Sequence, residues 1–198
     1  MIDVHVFTGP EVVPHLDAVA QLRIAVFRDW PYLYAGDKEY EKKYLATYAE
    51  SPDSLFVLAF DGERVIGAST GIPLTDETSA FQQPFLDHGF ALEDVFYFGE
   101  SVLLKEYRGH GLGHRFFDER ENHARRLGRF GMTAFCAVER DPGDARCPEG
   151  FRANDVFWNK RGYRRQDDMF CRLEWQEIGS DVASCHRLRF WLRPLDKT

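Results

Sequence analysis

A run of closely spaced glycines divides an apolar segment from an amphipathic one near the middle of the chain. The run reads Arg108-Gly109-His110-Gly111-Leu112-Gly113, between the apolar residues 95–104 and the periodic residues 112–127. The first segment predicts a buried strand and the second a helix. Glycines let a backbone approach a ligand closely, and a helix start presents unpaired N–H groups and the positive end of its dipole. The junction therefore predicts an anion site, most simply for a pyrophosphate.

The spacing inside the run discriminates between phosphate-bearing cofactors. A P-loop ends in Gly-Lys-Ser/Thr, whereas Gly113 is followed by His114 and Arg115. The dinucleotide fingerprint is G-x-G-x-x-G at the first strand-to-helix turn, whereas this run is G-x-G-x-G and lies in mid-chain. Both ATP and a Rossmann dinucleotide therefore fit poorly.

The run instead resembles Arg/Gln-x-x-Gly-x-Gly/Ala, the acetyl-CoA loop of the GNAT superfamily of N-acetyltransferases. Downstream, residues 157–163 look like the family's later motif, a short helix ending in aromatic-x-x-x-Gly-aromatic. Two motifs in this order are hard to obtain by chance, and together the resemblance covers residues 95–164. It implies an α/β fold in which a mixed central sheet of about seven strands is flanked by helices, with acetyl-CoA as the cosubstrate.

Composition indicates a single domain over residues 1–198. A chain that is 44% hydrophobic and 15% aromatic can bury one substantial core, and nothing in it marks a linker. No apolar run reaches the roughly 20 residues of a membrane span, and the N-terminus lacks signal-peptide features, so we expect a cytoplasmic protein without a membrane partner. A net charge of −7 argues against nucleic acid and suits an amine-bearing acceptor.

Hydrophobic periodicity predicts the order of the elements. Strands are expected at residues 3–7, 55–60, 64–71, 95–104, 132–138, 169–175 and 186–193, and helices at 15–29, after the cap Asp37, at 79–88, 112–127 and 153–161. Because a helix joins the two apolar strands at 95–104 and 132–138, those strands should be parallel. The closing strands also allow a homodimer by pairing or swapping.

Glu100 is a carboxylate inside the apolar strand predicted over residues 95–104. A buried carboxylate is costly unless it is paired or used. In GNAT enzymes an acidic residue eight positions before the motif's Arg or Gln often acts as general base, and Glu100 holds that position before Arg108. The alternative is a structural carboxylate bound to an arginine or to backbone N–H groups.

The resemblance also implies a set of cofactor-binding residues. Arg108 and the N–H groups of Gly109, His110, Gly111, Leu112 and Gly113 would hold the pyrophosphate, and the backbone of Ser101, Val102 and Leu103 would pair with the pantetheine arm. That second role requires the strand to splay from its neighbour, and one freed N–H could polarise the thioester carbonyl. His110 and His114 lie four residues apart but lack a third ligand, so no metal is predicted. The four cysteines form no C-x-x-C pair and are interpreted as reduced thiols.

The later motif departs from the family at one position. Many members have a tyrosine four residues before the motif glycine that protonates the departing thiolate, and here that residue is Trp158. Indole is not a useful acid, although a thiolate whose pKa is about 8.5 can leave without protonation. No acid is therefore named.

These patterns support two functional hypotheses from different classes. The first is an N-acetyltransferase in which a primary amine attacks acetyl-CoA directly with help from Glu100, with Tyr32 and Tyr34 as candidate acceptor contacts. The stripe of Tyr40, Tyr44 and Tyr48 is better explained by core packing. The second hypothesis is a GNAT-fold module that binds acyl-CoA as a sensor or regulator without transferring the acyl group. A different acyl donor or a hydroxyl acceptor also stays open.

Overall fold

The computed structural model describes residues 2–196, and its centre is an eight-stranded mixed sheet. The strands are β1 (Ile2–Thr8), β2 (Leu55–Asp61), β3 (Arg64–Pro73), β4 (Val95–Tyr97), β5 (Ser101–Leu103), β6 (Met132–Val138), β7 (Arg164–Gln176) and β8 (Ala183–Pro194). Across the sheet the order is β1-β2-β3-β4-β6-β8-β7, and β5 pairs with β3. The β4–β6 pair is parallel, as predicted, and the other pairs are antiparallel.

Five α-helices of the described residues flank this sheet. They are α1 (Leu16–Phe27), α2 (Lys38–Glu50), α3 (Ser79–Asp87), α4 (Leu112–Leu127) and α5 (Asp155–Lys160). Asp37 caps α2 as predicted, since its Oδ1 accepts the N–H groups of Glu39 and Tyr40 at 2.9 and 3.1 Å. Helix α4 has the predicted bounds and ends at Gly128, whose φ of 71° forms a left-handed C-cap.

The two faces of the sheet carry separate hydrophobic clusters. The first cluster joins α1, α2 and α3 to one face and includes Leu22, Leu45, Tyr48, Phe85, Tyr97 and Val102. The second joins α4 to the other face and includes Phe96, Phe98, Phe116, Phe117, Tyr163 and Trp191. We call these the α1–α2 face and the α4 face.

The prediction of one continuous strand over residues 95–104 is wrong, because the structure divides this segment into β4 and β5. Side chains alternate from Tyr97 on the α1–α2 face to Phe98 on the α4 face. Strict alternation would then bring Val102 to the α4 face, but Val102 packs on the α1–α2 face. One extra residue between the strands therefore shifts the register, in the manner of a β-bulge, and the predicted seven strands become eight.

The remaining differences lie at the ends of elements. The closing strands β7 and β8 are longer than predicted, α1 and α5 are shorter, and a 3₁₀ segment at Gly9–His15 precedes α1. The predicted β2–β3 hairpin is confirmed, with Gly62 in the turn at a φ of 60°. Within residues 2–196, no helix has the length and apolarity needed to cross a membrane.

Candidate active site

The division between β4 and β5 opens the sheet at its centre. Phe98 donates its N–H to the carbonyl of Ala134 in β6 at 2.8 Å, and beyond this point β5 pairs with β3 instead of β6. The N–H of Leu104 donates to Ile66 on β3 at 3.0 Å. Because backbone groups alternate along a strand, the N–H groups of Ser101 and Leu103 point away from β3 towards the opening. The structure thus contains the splay that the resemblance implies for residues 101–103.

Glu100 lies at this opening and faces the α1–α2 side. Its carboxylate is buried and its Oε2 forms an ion pair with Nη1 of Arg23 on α1 at 2.6 Å. That contact lacks hydrogen-bond alignment, and Oε1 of Glu100 has no hydrogen-bond partner among residues 2–196. The side chain is therefore tied to an arginine through one oxygen, while its other oxygen is buried and unsatisfied.

Arg23 is a residue that the sequence reasoning missed. It also forms an ion pair with Glu41 of α2, and its guanidinium lies 4.5 Å from the ring centroid of Tyr44. Burial alone would lower the pKa of Arg23, but Glu100 and Glu41 hold it well above its ordinary value. Burial also raises the pKa of Glu41 despite this pairing. Two carboxylates thus share one guanidinium.

Arg120 of α4 supports the opening from the opposite face, and it too was missed. Its Nη1 donates to the carbonyl oxygens of Glu100 at 3.1 Å and Thr70 at 3.3 Å, and its Nη2 donates to Oγ of Ser101 at 2.8 Å. Burial lowers the pKa of Arg120 to about 10. Because Arg120 bonds to β3 and to residues 100 and 101, it fixes the backbone on the β3 side of the opening. No pattern in the sequence distinguishes this arginine from the others on α4.

The predicted cofactor loop lies at the start of α4 with its backbone exposed. Gly109 and Gly111 have φ values of 85° and 81°, a region that favours glycine, and no atom lies within 4 Å of a Cβ built on either. No side chain of the described residues caps this helix start. Arg108 is exposed and its Nε donates to the carbonyl of Leu103 at 3.2 Å. The loop and β5 are thus joined, with unpaired N–H groups at its helix end.

The later motif packs beside this loop. Phe157 of α5 contacts the ring of His114 with centroids 4.9 Å apart, and the ring of Trp158 lies 5.0 Å from Phe135 and 5.1 Å from Trp191. Trp158 is therefore a member of the aromatic packing on the α4 face. Among the described residues, no group of three or more His, Cys, Asp or Glu side chains could hold a metal ion.

The two candidate acceptor contacts differ in their surroundings. Tyr34 is buried, and its hydroxyl accepts the N–H of Asp37 at 2.9 Å. This bond stabilises the turn before α2. Tyr32 packs against Phe27 with ring centroids 4.4 Å apart and lies near Arg23 and Glu100, whose charges act on its hydroxyl. Burial raises the pKa of Tyr32 above its ordinary value. Of the pair, Tyr32 is therefore the one whose hydroxyl interacts with Arg23 and Glu100.

The sequence matches a family model described as the acetyltransferase (GNAT) family over residues 19–147. The chain belongs to the GNAT family of acetyltransferases. The GNAT match spans β2 to β6, including both sides of the opening and the glycine loop. The resemblance and fold class inferred from the two motifs are thus confirmed.

Solved structures share this GNAT fold at low sequence identity. An N-acetyltransferase from Staphylococcus aureus Mu50 has a TM-score of 0.60 at 10% identity, covering 98% of this chain and 99% of that chain. The PaiA N-acetyltransferase from Thermoplasma acidophilum, solved in complex with coenzyme A, has a TM-score of 0.58 at 14% identity and covers 98% and 99%. YncA from Salmonella typhimurium, solved with acetyl-CoA, has a TM-score of 0.56 at 12% identity and covers 98% and 95%. No curated protein sequence matches this chain.

Proposed function

We propose that the protein is an N-acetyltransferase that transfers the acetyl group of acetyl-CoA to a primary amine. The opening of the sheet carries this proposal, because within the described chain it leaves N–H groups of β5 without a strand partner beside a buried carboxylate. The two similar structures solved with coenzyme A or acetyl-CoA support the choice of cofactor. The residues 108–113 would hold the pyrophosphate, and the backbone of residues 101–103 would pair with the pantetheine arm.

The chemistry is direct attack of the amine on the thioester carbonyl. An alkylammonium has a pKa of about 10.4 and is not nucleophilic at neutral pH, so protons must leave the nitrogen. Oε1 of Glu100 is buried and unsatisfied in the described chain, and it is the proposed acceptor of one proton. A free N–H at Ser101 or Leu103 would polarise the carbonyl as charge develops on its oxygen.

The α1–α2 side of the opening suits a cationic acceptor. Its buried carboxylates are Glu41, Glu77 and Glu100, and Arg23 is the arginine that pairs with two of them. The ring of Tyr44 lies 4.5 Å from the guanidinium of the same arginine, and the hydroxyl of Tyr32 interacts with it electrostatically. Negative charge and aromatic faces together favour an ammonium group over an anionic acceptor.

The proposal is tested by measuring CoA release with a thiol reagent. Acetyl-CoA is incubated with the protein and a panel of primary amines: ethanolamine, tyramine, spermidine, L-lysine and a tripeptide with a free N-terminus. We expect amine-dependent release, and we expect Glu100→Gln to lower kcat by about 100-fold, within the range of general-base effects. The affinity for acetyl-CoA, measured by calorimetry, should stay within about twofold of the unmodified protein, because Glu100 lies outside the pyrophosphate loop.

Two results would contradict the proposal. Tight binding of acetyl-CoA without release for any amine would favour the sensor or regulatory module instead. Absence of calorimetric heat with acetyl-CoA would remove both hypotheses, since each requires the cofactor site. Glu106→Gln serves as the matched control, because Glu106 is an exposed carboxylate on the segment between β5 and the loop.

A further inference from the structure

Acetylation of an ammonium group requires the removal of two protons from its nitrogen. The balanced reaction is R–NH3⁺ plus acetyl–S–CoA giving R–NH–acetyl, CoA–S⁻ and two H⁺, in which the C–N bond forms and the C–S bond breaks. The proposed function assigns one proton to Glu100 and leaves the other unassigned. The inference below rests on that proposed function and concerns the second proton.

A directed chain of hydrogen bonds runs through the α1–α2 face to a third buried carboxylate. The hydroxyl of Tyr44 donates to the hydroxyl of Tyr48 at 3.0 Å, and the hydroxyl of Tyr48 donates to Oε1 of Glu77 at 2.7 Å. Oε2 of Glu77 accepts the N–H of Thr78 at 2.6 Å. Every hydroxyl hydrogen points towards Glu77, so the oxygen of Tyr44 keeps a lone pair that can accept a further proton.

The open end of this chain lies at the opening of the sheet. The ring of Tyr44 stacks on the guanidinium of Arg23, which pairs with Glu100. The hydroxyl of Tyr48 lies against the backbone of Gly99, the residue before Glu100. Tyr44 is half-buried, whereas Tyr48 and Glu77 are buried. The chain therefore runs from half-buried Tyr44, beside Arg23, to the buried carboxylate of Glu77.

We propose that Glu77 is the terminal acceptor of one of the acceptor's two protons, which reaches it through Tyr44 and Tyr48. The N–H bond breaks towards the oxygen of Tyr44 while the nitrogen keeps the electron pair. The proton of Tyr44 moves to Tyr48 and that of Tyr48 moves to Oε1 of Glu77. Both tyrosines end neutral and Glu77 ends protonated, and the reverse path returns the proton to solvent after the product leaves.

The pairing of the three carboxylates distinguishes Glu77 from the other two. Glu41 and Glu100 are both held by Arg23, whereas Glu77 has no ion-pair partner among residues 2–196. Burial raises the pKa of Glu77, although the bonds from Thr78 and Tyr48 oppose this shift. A carboxylate of raised pKa is a stronger base, which suits removal of a proton from nitrogen.

The surroundings of Glu77 include a second carboxylate, which also raises its pKa. Among the described residues, the groups that face it or interact with it electrostatically are Tyr40, Tyr44 and Tyr48 of α2, Glu100 at the opening, Tyr97 of β4, Cys136 of β6 and the Thr78 amide. The nearby carboxylate of Glu100 raises the pKa of Glu77 further. Gln82 of α3 donates to the backbone carbonyl of Glu77 at 2.7 Å and not to its carboxylate.

The test compares Tyr48→Phe and Glu77→Gln with the unmodified protein, using the fastest amine of the panel. We expect kcat/KM to fall by about 100-fold at pH 7 in both variants. The kcat/KM of the unmodified protein should fall more steeply at low pH than that of either variant, because protonation of Glu77 matters only where the relay is intact. The solvent isotope effect of the unmodified enzyme should also fall towards one in Tyr48→Phe, because the hydroxyl chain is broken.

Tyr40→Phe is the matched control for the tyrosine variants. Tyr40 lies on the same helix and stacks on Tyr44 with ring centroids 6.3 Å apart, but its hydroxyl makes no hydrogen bond within the described chain. Its kinetics should be unchanged. If Tyr48→Phe fails to fold, Tyr44→Phe interrupts the same chain at its half-buried end, and acetyl-CoA calorimetry reports whether each variant is folded.

Several outcomes would overturn the assignment of Glu77. Variants whose kcat/KM stays within twofold of the unmodified protein, while Glu100→Gln is impaired, would remove the relay and leave the transferase function intact. A slower variant whose kcat/KM falls at low pH as steeply as that of the unmodified protein, with the same solvent isotope effect, would make the chain purely structural. Absence of amine-dependent CoA release in the unmodified protein would instead remove the function on which the relay rests.

Discussion

The hydroxyl of Tyr48 occupies the space that a side chain on Gly99 would need. A Cβ at position 99 would overlap Oη of Tyr48 and would also lie 2.6 Å from Oγ1 of Thr70. Gly99 is therefore required by close approach of α2 and β3, although its φ is not positive. This contact couples the shape of the opening to the hydrogen-bond chain that ends at Glu77.

Gly99→Ala is expected to destabilise the protein by about 1–3 kcal/mol, because overpacking forces Tyr48 or the backbone to move. It should also lower kcat by a larger factor than it lowers the affinity for acetyl-CoA, because the displaced Tyr48 or backbone lies on the acceptor side of the opening. Urea unfolding and steady-state kinetics measure the two effects. Gly143→Ala is the control, because a Cβ there meets a nearest atom at 3.4 Å in an exposed loop. Equal stability of both variants would contradict the packing argument.

Removal of Arg23 should leave two buried carboxylates without a cation. We expect Arg23→Met to lower the free energy of unfolding by about 3–5 kcal/mol at pH 7, the usual cost of breaking a buried pair from one side. Glu41 already has a raised pKa through burial, and loss of Arg23 raises it further. A raised folded-state pKa means that stability is greatest below the unfolded value and is lost as the pH rises.

The deficit of Arg23→Met should therefore be smaller at pH 5 than at pH 7, as measured by urea denaturation at both values. Arg28→Met is the matched control, since Arg28 follows α1 and is exposed. A deficit that is independent of pH would show that packing, and not the carboxylates, accounts for the loss.

The sequence predicted the parts of the site that depend on local chain geometry. Glycine spacing marked the loop in which Gly109 and Gly111 have positive φ values, and the bounds of α4 follow from its apolar periodicity and from Gly128. The parallel pairing of β4 and β6 follows from the intervening helix. These features are encoded within short stretches of sequence.

Long-range partners were not predictable in this way. Arg23 and Glu100 are 77 positions apart, and Tyr48 and Glu77 are 29 apart. Nothing in a helical pattern marks Arg23 or Arg120 as buried, because arginine is ordinarily exposed. The split of residues 95–104 was missed for a related reason: a one-residue bulge leaves the apolar composition unchanged while reversing which face each side chain takes.

Gly111→Ala is expected to weaken CoA binding by about tenfold. Gly111 has a φ of 81° and precedes α4, where its N–H is one of those proposed to contact the pyrophosphate. An alanine there carries a strain of roughly 1–2 kcal/mol, which favours a backbone that turns the amides away from the ligand. Gly128→Ala imposes the same strain at the other end of α4, with a φ of 71° and open space around its Cβ.

Calorimetry with CoA distinguishes the two glycine variants. Both should lose similar stability in urea, but only Gly111→Ala should lose affinity. A similar loss of affinity in Gly128→Ala would assign the effect to general destabilisation and would contradict the loop assignment.

His123 is expected to make stability depend on pH near neutrality. It is buried on α4, and its Nε2 contacts the backbone carbonyl of Asp53 at 2.9 Å. Burial lowers the pKa of His123 below the ordinary value of 6.5, despite the opposing bond to Asp53. A depressed folded-state pKa means that the contribution is present above about pH 6.5 and is lost as the pH falls through the interval to the folded value.

The comparison of His123→Gln with the unmodified protein isolates this contribution, because the buried carboxylates and His186, whose pKa is also lowered by burial, titrate in both. The stability advantage of the unmodified protein in urea should be greatest at pH 7.5 and should shrink at pH 5.5. His5→Gln, at an exposed position on β1, should show no such change. An advantage that stays constant between the two pH values would mean that the protonation of His123 is not coupled to folding.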